Sequence, residues 1–280
     1  MKIKITADST CDLSKELLEK YEIRTIPLHI INAEDKDYRD GIDICPKDIF
    51  EYVDTTGNVC HTAALNIEEF ESVFKEELEN NDAVIHISIS SDFSACYQNA
   101  CIAAEVGNVY VVDSRNLSTG GGLIVLAAVE MAKEGIEPAE IKARLDAMTA
   151  KVEASFVIDT LKYLHKGGRC SAVVALGANL LGLKPCIEVK NGKMGVVKKY
   201  RGSYAKCLSS YVKDRLDGRD ELTRELLFLT YTTVTDPCLE AVKEGVAQYG
   251  NFQEVIEATA GCTISCHCGP GTLGILFVRK

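Results

Sequence analysis

The chain has 280 residues, a net charge of -10, 46% hydrophobic and 26% charged residues, which is the make-up of a folded globular protein of one large or two ordinary domains. An acidic chain without a basic tail speaks against nucleic acid as its main partner. No apolar run is long enough for a transmembrane helix, and residues 1–8, with Lys2 and Lys4 set into a strand, do not form a signal peptide; the expected place is the cytosol, without stable membrane insertion. Twelve cysteines in that setting are read as reduced thiols, most of them packed as small hydrophobes.

Residues 2–7 read as a first strand, followed by Asp8-Ser9-Thr10-Cys11-Asp12 and a helix over 15–21. Small polar residues at the carboxyl end of a strand suit ligand contact, and they equally suit capping, with Thr10 or Asp12 starting the helix. Residues 23–31 form a second apolar strand, 38–44 a polar loop, and Pro46 opens a helix, where its fixed φ is already helical. Residues 59–66 are a strand-to-helix junction carrying Thr62. Asn66 caps a helix over 67–79, with Glu69 three residues on in the manner of a capping box. An apolar strand over 83–89 runs into Ser90-Ser91-Asp92-Phe93-Ser94, and Ser94 is the expected N-cap of a helix over 95–106. A strand over 108–112 follows. Gly120-Gly121-Gly122 then precede a helix over 123–133 and allow close packing or close approach of a ligand, with Gly121 assigned to the binding set. A helix over 136–152 starts near Pro138.

This alternation predicts a parallel sheet with helices on both faces, an α/β arrangement. From residue 153 the pattern changes. A strand over 154–158 leads to a short helix over 161–166, closed by Gly167-Gly168. After an unusually apolar segment, 172–183, strands over 185–190 and 193–201 are joined by Asn191-Gly192, a strong hairpin signal. A helix over 203–216, a strand over 226–231, a helix over 237–249 and strands over 252–259 and 273–278 complete the chain. A hairpin mixed with helices predicts a second, α+β domain with a largely antiparallel sheet, so the expected domains are 1–152 and 153–280.

In parallel sheets ligands bind outside the carboxyl ends of the strands. Four such ends carry small polar residues: Asp8 to Thr10, Thr62, Ser90 to Ser94, and Asp113 to Ser118. The stretch from His86 to Gln98 is the most informative. A strand, a serine-rich turn and a helix start together make an anion site, because the first helical N–H groups are unpaired and carry partial positive charge. Neither Gly-x-Gly-x-x-Gly nor Gly-x4-Gly-Lys-Ser/Thr occurs, so a nucleotide ranks lowest among the anions.

Taken together, these junctions resemble the DegV family of fatty-acid-binding proteins. The matching pieces are Ala7-Asp8-Ser9-Thr10-Cys11-Asp12-Leu13, Tyr38-Arg39-Asp40-Gly41, Ser90 to Gln98 and Val112-Asp113-Ser114. In the second half they are Leu161-Lys162-Tyr163-Leu164-His165-Lys166-Gly167-Gly168-Arg169, Leu183-Lys184-Pro185 and His267-Cys268-Gly269-Pro270-Gly271. Each is short, and their order along the whole chain makes the set specific. The resemblance implies a two-domain protein without catalytic activity or cofactor that holds one long-chain fatty acid. It places the carboxylate between the domains and the acyl chain in a tunnel of the second. It also implies a partner, a fatty acid kinase that phosphorylates the presented carboxylate.

On that resemblance Thr62, Ser94 and the backbone N–H groups after it face the head group, Ala95 stands where the family has glycine, and His267 points at the carboxylate. Around Thr62 the family usually reads Thr-Ser-Gln-Pro-Ser, where this chain has Thr62-Ala63-Ala64-Leu65-Asn66. Arg169 is assigned to the head group through water, or alternatively to an ion pair with an acid such as Asp159. His267 is alternatively a structural loop residue. The segment 172–183 is tunnel wall or plain core helix. Lys193, Lys198, Lys199 and Arg201 form a basic strip, which is a solvated strand face or, at Arg201, a contact for the kinase. Two rival readings rest on residues alone. Ser94 with His267 as base would make a serine hydrolase, although no Gly-x-Ser-x-Gly elbow surrounds Ser94. Cys262, Cys266, His267 and Cys268 are crowded enough for a metal site but lack a second distant pair.

Overall fold

The computed structural model describes residues 1–170 and 182–280. Strand β1 (Ile3–Asp8) sits between β2 (Arg24–Ile26) and β6 (Ala83–Ser88), and β7 (Val109–Asp113) completes a four-stranded parallel sheet in the order β2-β1-β6-β7. All residues of β6 are buried, so its Ala-Val-Ile-His-Ile-Ser sequence runs apolar without alternation, as expected for a parallel strand covered on both faces. Helices α3 (Ile67–Leu78) and α4 (Cys96–Ala103) pack together and against β6, and so do α5 (Thr119–Lys133) and α6 (Pro138–Thr149). Of the two polar residues in β6, His86 holds Thr6 Oγ1 at 3.0 Å and lies 3.3 Å from the Asp8 carboxyl group. Asp8 in turn accepts from the Ser88 hydroxyl at 2.7 Å and the Ile89 N–H at 2.8 Å. These buried bonds fix where the chain leaves the sheet toward Ser90–Ser94.

Several local expectations shift. Residues 23–31 are two strands, because Pro27 has no N–H with which to continue a ladder. After it, β3 (His29–Ile31) joins a separate three-stranded antiparallel sheet with β4 (Asp37–Arg39) and β5 (His61–Ala63). Helix α1 (Lys15–Lys20) is capped by Ser14, which accepts from the Leu17 N–H at 3.3 Å, and not by Thr10 or Asp12. The capping box at Asn66 and Glu69 is present, with bonds of 2.9 and 2.7 Å. Helix α5 starts at Thr119, so the three glycines lie inside its first turns. A methyl group on Gly122 would meet the Cys11 carbonyl at 2.8 Å, and one on Gly120 would meet Asn116 Oδ1 at 2.2 Å; the run serves close packing.

The second sheet has six strands: β8 (Val152–Val157), β9 (Leu183–Lys190), β10 (Lys193–Arg201), β11 (Leu222–Tyr231), β12 (Glu254–Thr259) and β13 (Leu273–Arg279). Their order is β10-β9-β8-β13-β11-β12, antiparallel throughout except β11 with β12. The largely antiparallel sheet is as expected, although Val152 belongs to β8 and not to the helix before it. Asn191 and Gly192 both take positive φ (51° and 79°), the requirement of the tight hairpin turn. Helices α7 (Lys162–Gly167), α8 (Tyr204–Leu216) and α9 (Asp236–Tyr249) complete the half; α8 and α9 pack together. Tyr211 in α8 is fully buried, donating to the Ser155 carbonyl at 2.6 Å and accepting from the Ile275 N–H at 3.0 Å. One continuous cluster of buried side chains, including Ile87, Val112 and Ile124 with Phe156, Ile187 and Phe228, joins the two sheets.

The remaining helices are α2 (Pro46–Thr56), which starts at its proline as expected, and α10 (Cys262–Cys268). The latter falls where the sequence reading placed only a loop. Its seven residues, Cys-Thr-Ile-Ser-Cys-His-Cys, have weak intrinsic helix preference, so the helix depends on what holds its ends. Ten of the twelve cysteines are buried, and Cys45 and Cys101 are exposed.

Candidate functional site

Two acids from the first part of the chain hold the start of α10. Asp12 accepts from the Gly261 N–H at 2.9 Å. Asp40 accepts from the Cys262 N–H at 2.9 Å, the Thr263 N–H at 3.2 Å and the Thr263 hydroxyl at 2.7 Å, and the Ser9 hydroxyl donates to it at 3.0 Å. Buried acid side chains whose oxygens accept from the free N–H groups of a helix start do the work of an N-cap from outside the helix. Burial pushes Asp12 up to about 8, against the opposing hydrogen bonds from Ser118 and Gly261. The motifs around Asp8 and Asp40 are therefore anchors: among Asp8, Ser9, Thr10 and Asp40, none borders the main cavity.

That cavity, of about 860 Å³, opens beyond the carboxyl ends of the parallel strands. Its polar lining includes Thr62 from β5, Ser94 and Gln98 around the start of α4, Arg169 after α7, and His267 from α10; Ala95 lines it too. Its apolar lining includes Leu28, Ile89, Phe93, Leu117, Met194 and Ile264. The structure thus brings Thr62, Ser94, Ala95, Arg169 and His267 to one space from distant parts of the chain. Gly121 does not line it: this residue borders a small separate space near Ser114 and Asn116, because the glycine run has become the first turns of α5. Arg201 is exposed at the end of β10, away from the cavity lining. The segment expected as tunnel wall, 172–183, lies almost wholly outside the described residues.

His267 and Thr62 are directly bonded, Nε2 to Oγ1, at 2.8 Å. The other ring nitrogen, Nδ1, is buried without a hydrogen-bond partner among the described residues, and a methyl group on Gly167 would fall 2.3 Å from it. A hydrogen on Nδ1 would be a buried donor without an acceptor, costlier than a bare lone pair. The hydrogen therefore belongs on Nε2, which donates to Thr62 and leaves the Thr62 hydroxyl proton free for an acceptor in the cavity. Burial, with the Arg169 guanidinium adding to it, pulls His267 down to about 4, so the ring is neutral near pH 7. Arg169 donates to the Gly167 carbonyl at 2.8 Å, while Asp159 pairs with Lys184; the Asp159–Arg169 ion pair does not form.

Helix α4 begins at Cys96 with Ala95 at the cap position, one residue later than expected. Ser94 nevertheless caps it, its Oγ accepting from the Cys96 N–H at 3.3 Å and donating to Cys96 Sγ at 3.2 Å. Ala95 has φ −76° and ψ −3°, ordinary right-handed backbone, so a methyl group at this place brings no strain. Because Ser94 is engaged with Cys96 and His267 with Thr62, the pair needed for a serine hydrolase is not formed, and no carboxylate orients His267 Nδ1. Among the described residues no three or more His, Cys, Asp or Glu side chains converge as metal ligands. None of the helices among those residues is long and apolar enough to cross a membrane. In the basic strip, Lys198 pairs with Asp214 and Lys193 lies 3.5 Å from Asp92.

Sequence reasoning missed Gln98, Met194 and Ile264 as lining residues. Gln98 was legible as the first turn of α4. Met194 reaches the cavity only because its hairpin folds back on the first half, where the Ser90 hydroxyl donates to the Gly192 carbonyl at 2.9 Å.

The model of the family described as "Uncharacterised protein, DegV family" matches residues 2–280. The chain belongs to the DegV family. A DegV domain-containing protein of Clostridium acetobutylicum is 32% identical over 284 residues, covering 100% of this chain and 99% of that protein. Among solved structures, a DegV family protein from Thermus thermophilus, described by its fatty acid binding, superposes with a TM-score of 0.89 at 30% identity over 100% of both chains. A stearic acid-binding protein from Eubacterium ventriosum does so with a TM-score of 0.86 at 26% identity, covering 99% of this chain and 98% of that one. The mixed architecture, a parallel sheet with a largely antiparallel one beside it, is that of the DegV structures.

Proposed function

We propose that this DegV protein binds one long-chain fatty acid in the 860 Å³ cavity, with its carboxylate among Thr62, Ser94, His267 and the first N–H groups of α4. The observation that carries the reading is the Thr62–His267 bond at the wall of a cavity otherwise rich in apolar side chains. Thr62 offers its hydroxyl proton, the helix start beside Ser94 adds N–H donors, and Arg169 adds a positive charge nearby. Burying a methylene is worth about 0.8 kcal/mol, so about fifteen supply on the order of 12 kcal/mol gross, less the cost of ordering the chain. The tail dominates affinity and the donors set its direction. Relatives described as binding fatty acids, one of them stearic acid, support the choice of ligand.

In this reading the domains are 1–152, carrying Thr62 and Ser94, and 153–280, carrying Arg169 and His267, with the carboxylate between them. The protein presents the fatty acid to a fatty acid kinase, for which exposed Arg201 is a contact. Mass spectrometry of the organic extract from denatured protein tests the ligand: a fatty acid at near one per chain is expected, and an empty extract with no uptake of added fatty acid overturns the reading. For the partner, kinase-dependent formation of an acyl phosphate is measured with native protein and with Arg201→Ala; equal rates remove Arg201 from the contact.

A further inference from the structure

The β9–β10 hairpin reaches the main cavity with its tip, and polar bonds to the first half of the chain hold it there. Strand β8 pairs with β9 as far as Val189, so among the described residues the tip beyond it, 190–194, is paired in a sheet only within the hairpin. Strand β10 stands at the edge of its sheet, and of its nine residues only Tyr200, near the far end, is buried. A latch receives the tip. The Ser90 hydroxyl donates to the Gly192 carbonyl at 2.9 Å, and the Arg115 guanidinium donates to the Asn191 carbonyl. Arg115 Nη2 lies 2.6 Å from Asp92 and Nη1 donates to Ser91 Oγ at 2.8 Å, while Lys193 lies 3.5 Å from the same Asp92. The turn lies against the guanidinium: a methyl group on Gly192 would fall 2.5 Å from Arg115 Cζ. Next to the latch, Met194 and Asp92 border two spaces at once, the main cavity and an outer groove of about 760 Å³. That groove is amphipathic. Arg115, Lys190 and Lys193 line it, its acids Asp92 and Glu188 are paired with Arg115 and Arg215, and Met194 and exposed Val197 supply apolar surface.

We propose that the hairpin tip is a strap, that Arg115 is the positioning residue that holds it down, and that lifting it moves Met194 aside and joins the main cavity to the outer groove, through which the ligand enters and leaves. Segments with exposed hydrogen bonds and few buried side chains open locally at far lower cost than the whole fold. The latch consists of such bonds, and ion pairs of exposed side chains are worth little singly, so the strap opens and recloses while both sheets stay intact. Methionine suits a moving wall, because its unbranched side chain repacks readily. The groove suits a fatty acid, since its cations draw a carboxylate and Met194 and Val197 receive a tail. A ligand held in the closed state leaves only through the open one, so the strap sets both rates without setting the affinity. The latch stands on contacts of the chain itself; the ligand that takes this route rests on the fatty-acid reading.

The test is stopped-flow uptake and release of a fluorescent long-chain fatty acid by the unsubstituted chain and by Arg115→Ala. Arg115 does not line the main cavity, so the contacts of the bound ligand stay the same. Association and release are both expected to speed up about tenfold while their ratio, the affinity, stays within about twofold, because only the open population changes. Arg115→Lys, which keeps the charge and loses the fork, is expected to fall between the two. Unchanged rates overturn the proposal. So does faster release alone, since a weakened wall loosens binding without speeding entry. Amide hydrogen exchange of the ligand-free chain reads the strap itself: in Arg115→Ala, residues 190–194 are expected to exchange several-fold faster while β6 keeps its protection. Equal exchange at the tip in both proteins overturns the strap. Where Arg115→Ala loses the protection of β6 as well, Ser90→Ala, which removes one bond to Gly192 and leaves the guanidinium in place, gives the same readings with a smaller change. A chain that takes up no fatty acid contradicts the ligand reading, and hydrogen exchange then decides the strap by itself.

Discussion

The four-stranded parallel sheet meets the cavity with the ends of its strands, whereas the half built on the six-stranded sheet meets it with one short helix, the start of one hairpin strand and Arg169 after α7. In the first region position follows from topology: Ile89 to Ala95 stand at the carboxyl end of β6, where any parallel sheet offers a ligand its loops. In the second region position is borrowed. Helix α10 brings Thr263, Ile264, His267 and Cys268 to the cavity, and its start is held by Asp12 and Asp40 from the other end of the chain. Half of the site is therefore as secure as a sheet, and half is as secure as the hydrogen bonds of two buried acids.

The sharpest way to break this comparison is to remove the carboxylate with the most bonds to α10. Asp40→Ala leaves the Cys262 and Thr263 N–H groups and the Thr263 hydroxyl without their acceptor, and buried groups so stranded cost about 1–3 kcal/mol each. A loss of about 3–5 kcal/mol in urea unfolding is expected, together with loss of uptake. A loss under about 1 kcal/mol would mean that α10 is held by packing alone.

The next effect is in pH. The folded chain keeps His267 near 4 against an ordinary 6.5, so between those values the unfolded chain binds a proton that the folded one refuses. Stability contributed by the neutral ring is complete above 6.5 and is lost as pH falls toward 4. Between about pH 6.5 and 5 the expected loss is on the order of 2 kcal/mol, and His267→Gln flattens that part of the unfolding-versus-pH curve. An unchanged slope in the variant would place the titration elsewhere.

Thr62→Val keeps the shape of the side chain and removes its hydroxyl. Fatty acid affinity is expected to weaken about tenfold with little change in fold, read by displacement of a fluorescent acyl probe. The smallest effect belongs to Ser94→Ala, which removes a cap to the Cys96 N–H and is expected to cost about 0.5–1 kcal/mol of stability. Affinity reduced more by Ser94→Ala than by Thr62→Val would shift the head group toward α4.

What was legible in the sequence was local. The capping box at Asn66 and Glu69, the Asn191-Gly192 turn and the buried run of β6 each carry their instruction in a few adjacent residues. The convergence of Thr62, Ser94, Arg169 and His267 was legible only through resemblance, since no spacing rule connects them. Helix α10 was not legible, because the acids that cap it lie more than 200 residues away. Gly121 was misplaced for a related reason. Glycine before a helix and glycine packed inside its first turns look the same in sequence, and only the approach of Cys11 and Asn116 tells them apart. Arg169 takes the Gly167 carbonyl and not Asp159, because Lys184 already occupies that acid.

The central claim is that the Thr62 hydroxyl, oriented by His267, and the start of α4 beside Ser94 hold a carboxylate while an apolar cavity holds its tail. The measurement that meets it directly is the affinity of one long-chain fatty acid against its own methyl ester, which keeps the tail and removes the charge. Charge-assisted hydrogen bonds of about 1.5–3 kcal/mol predict that the acid binds roughly 10–150-fold more tightly, and that Thr62→Val narrows the gap. Equal affinity for acid and ester, unchanged in the variant, would contradict the account.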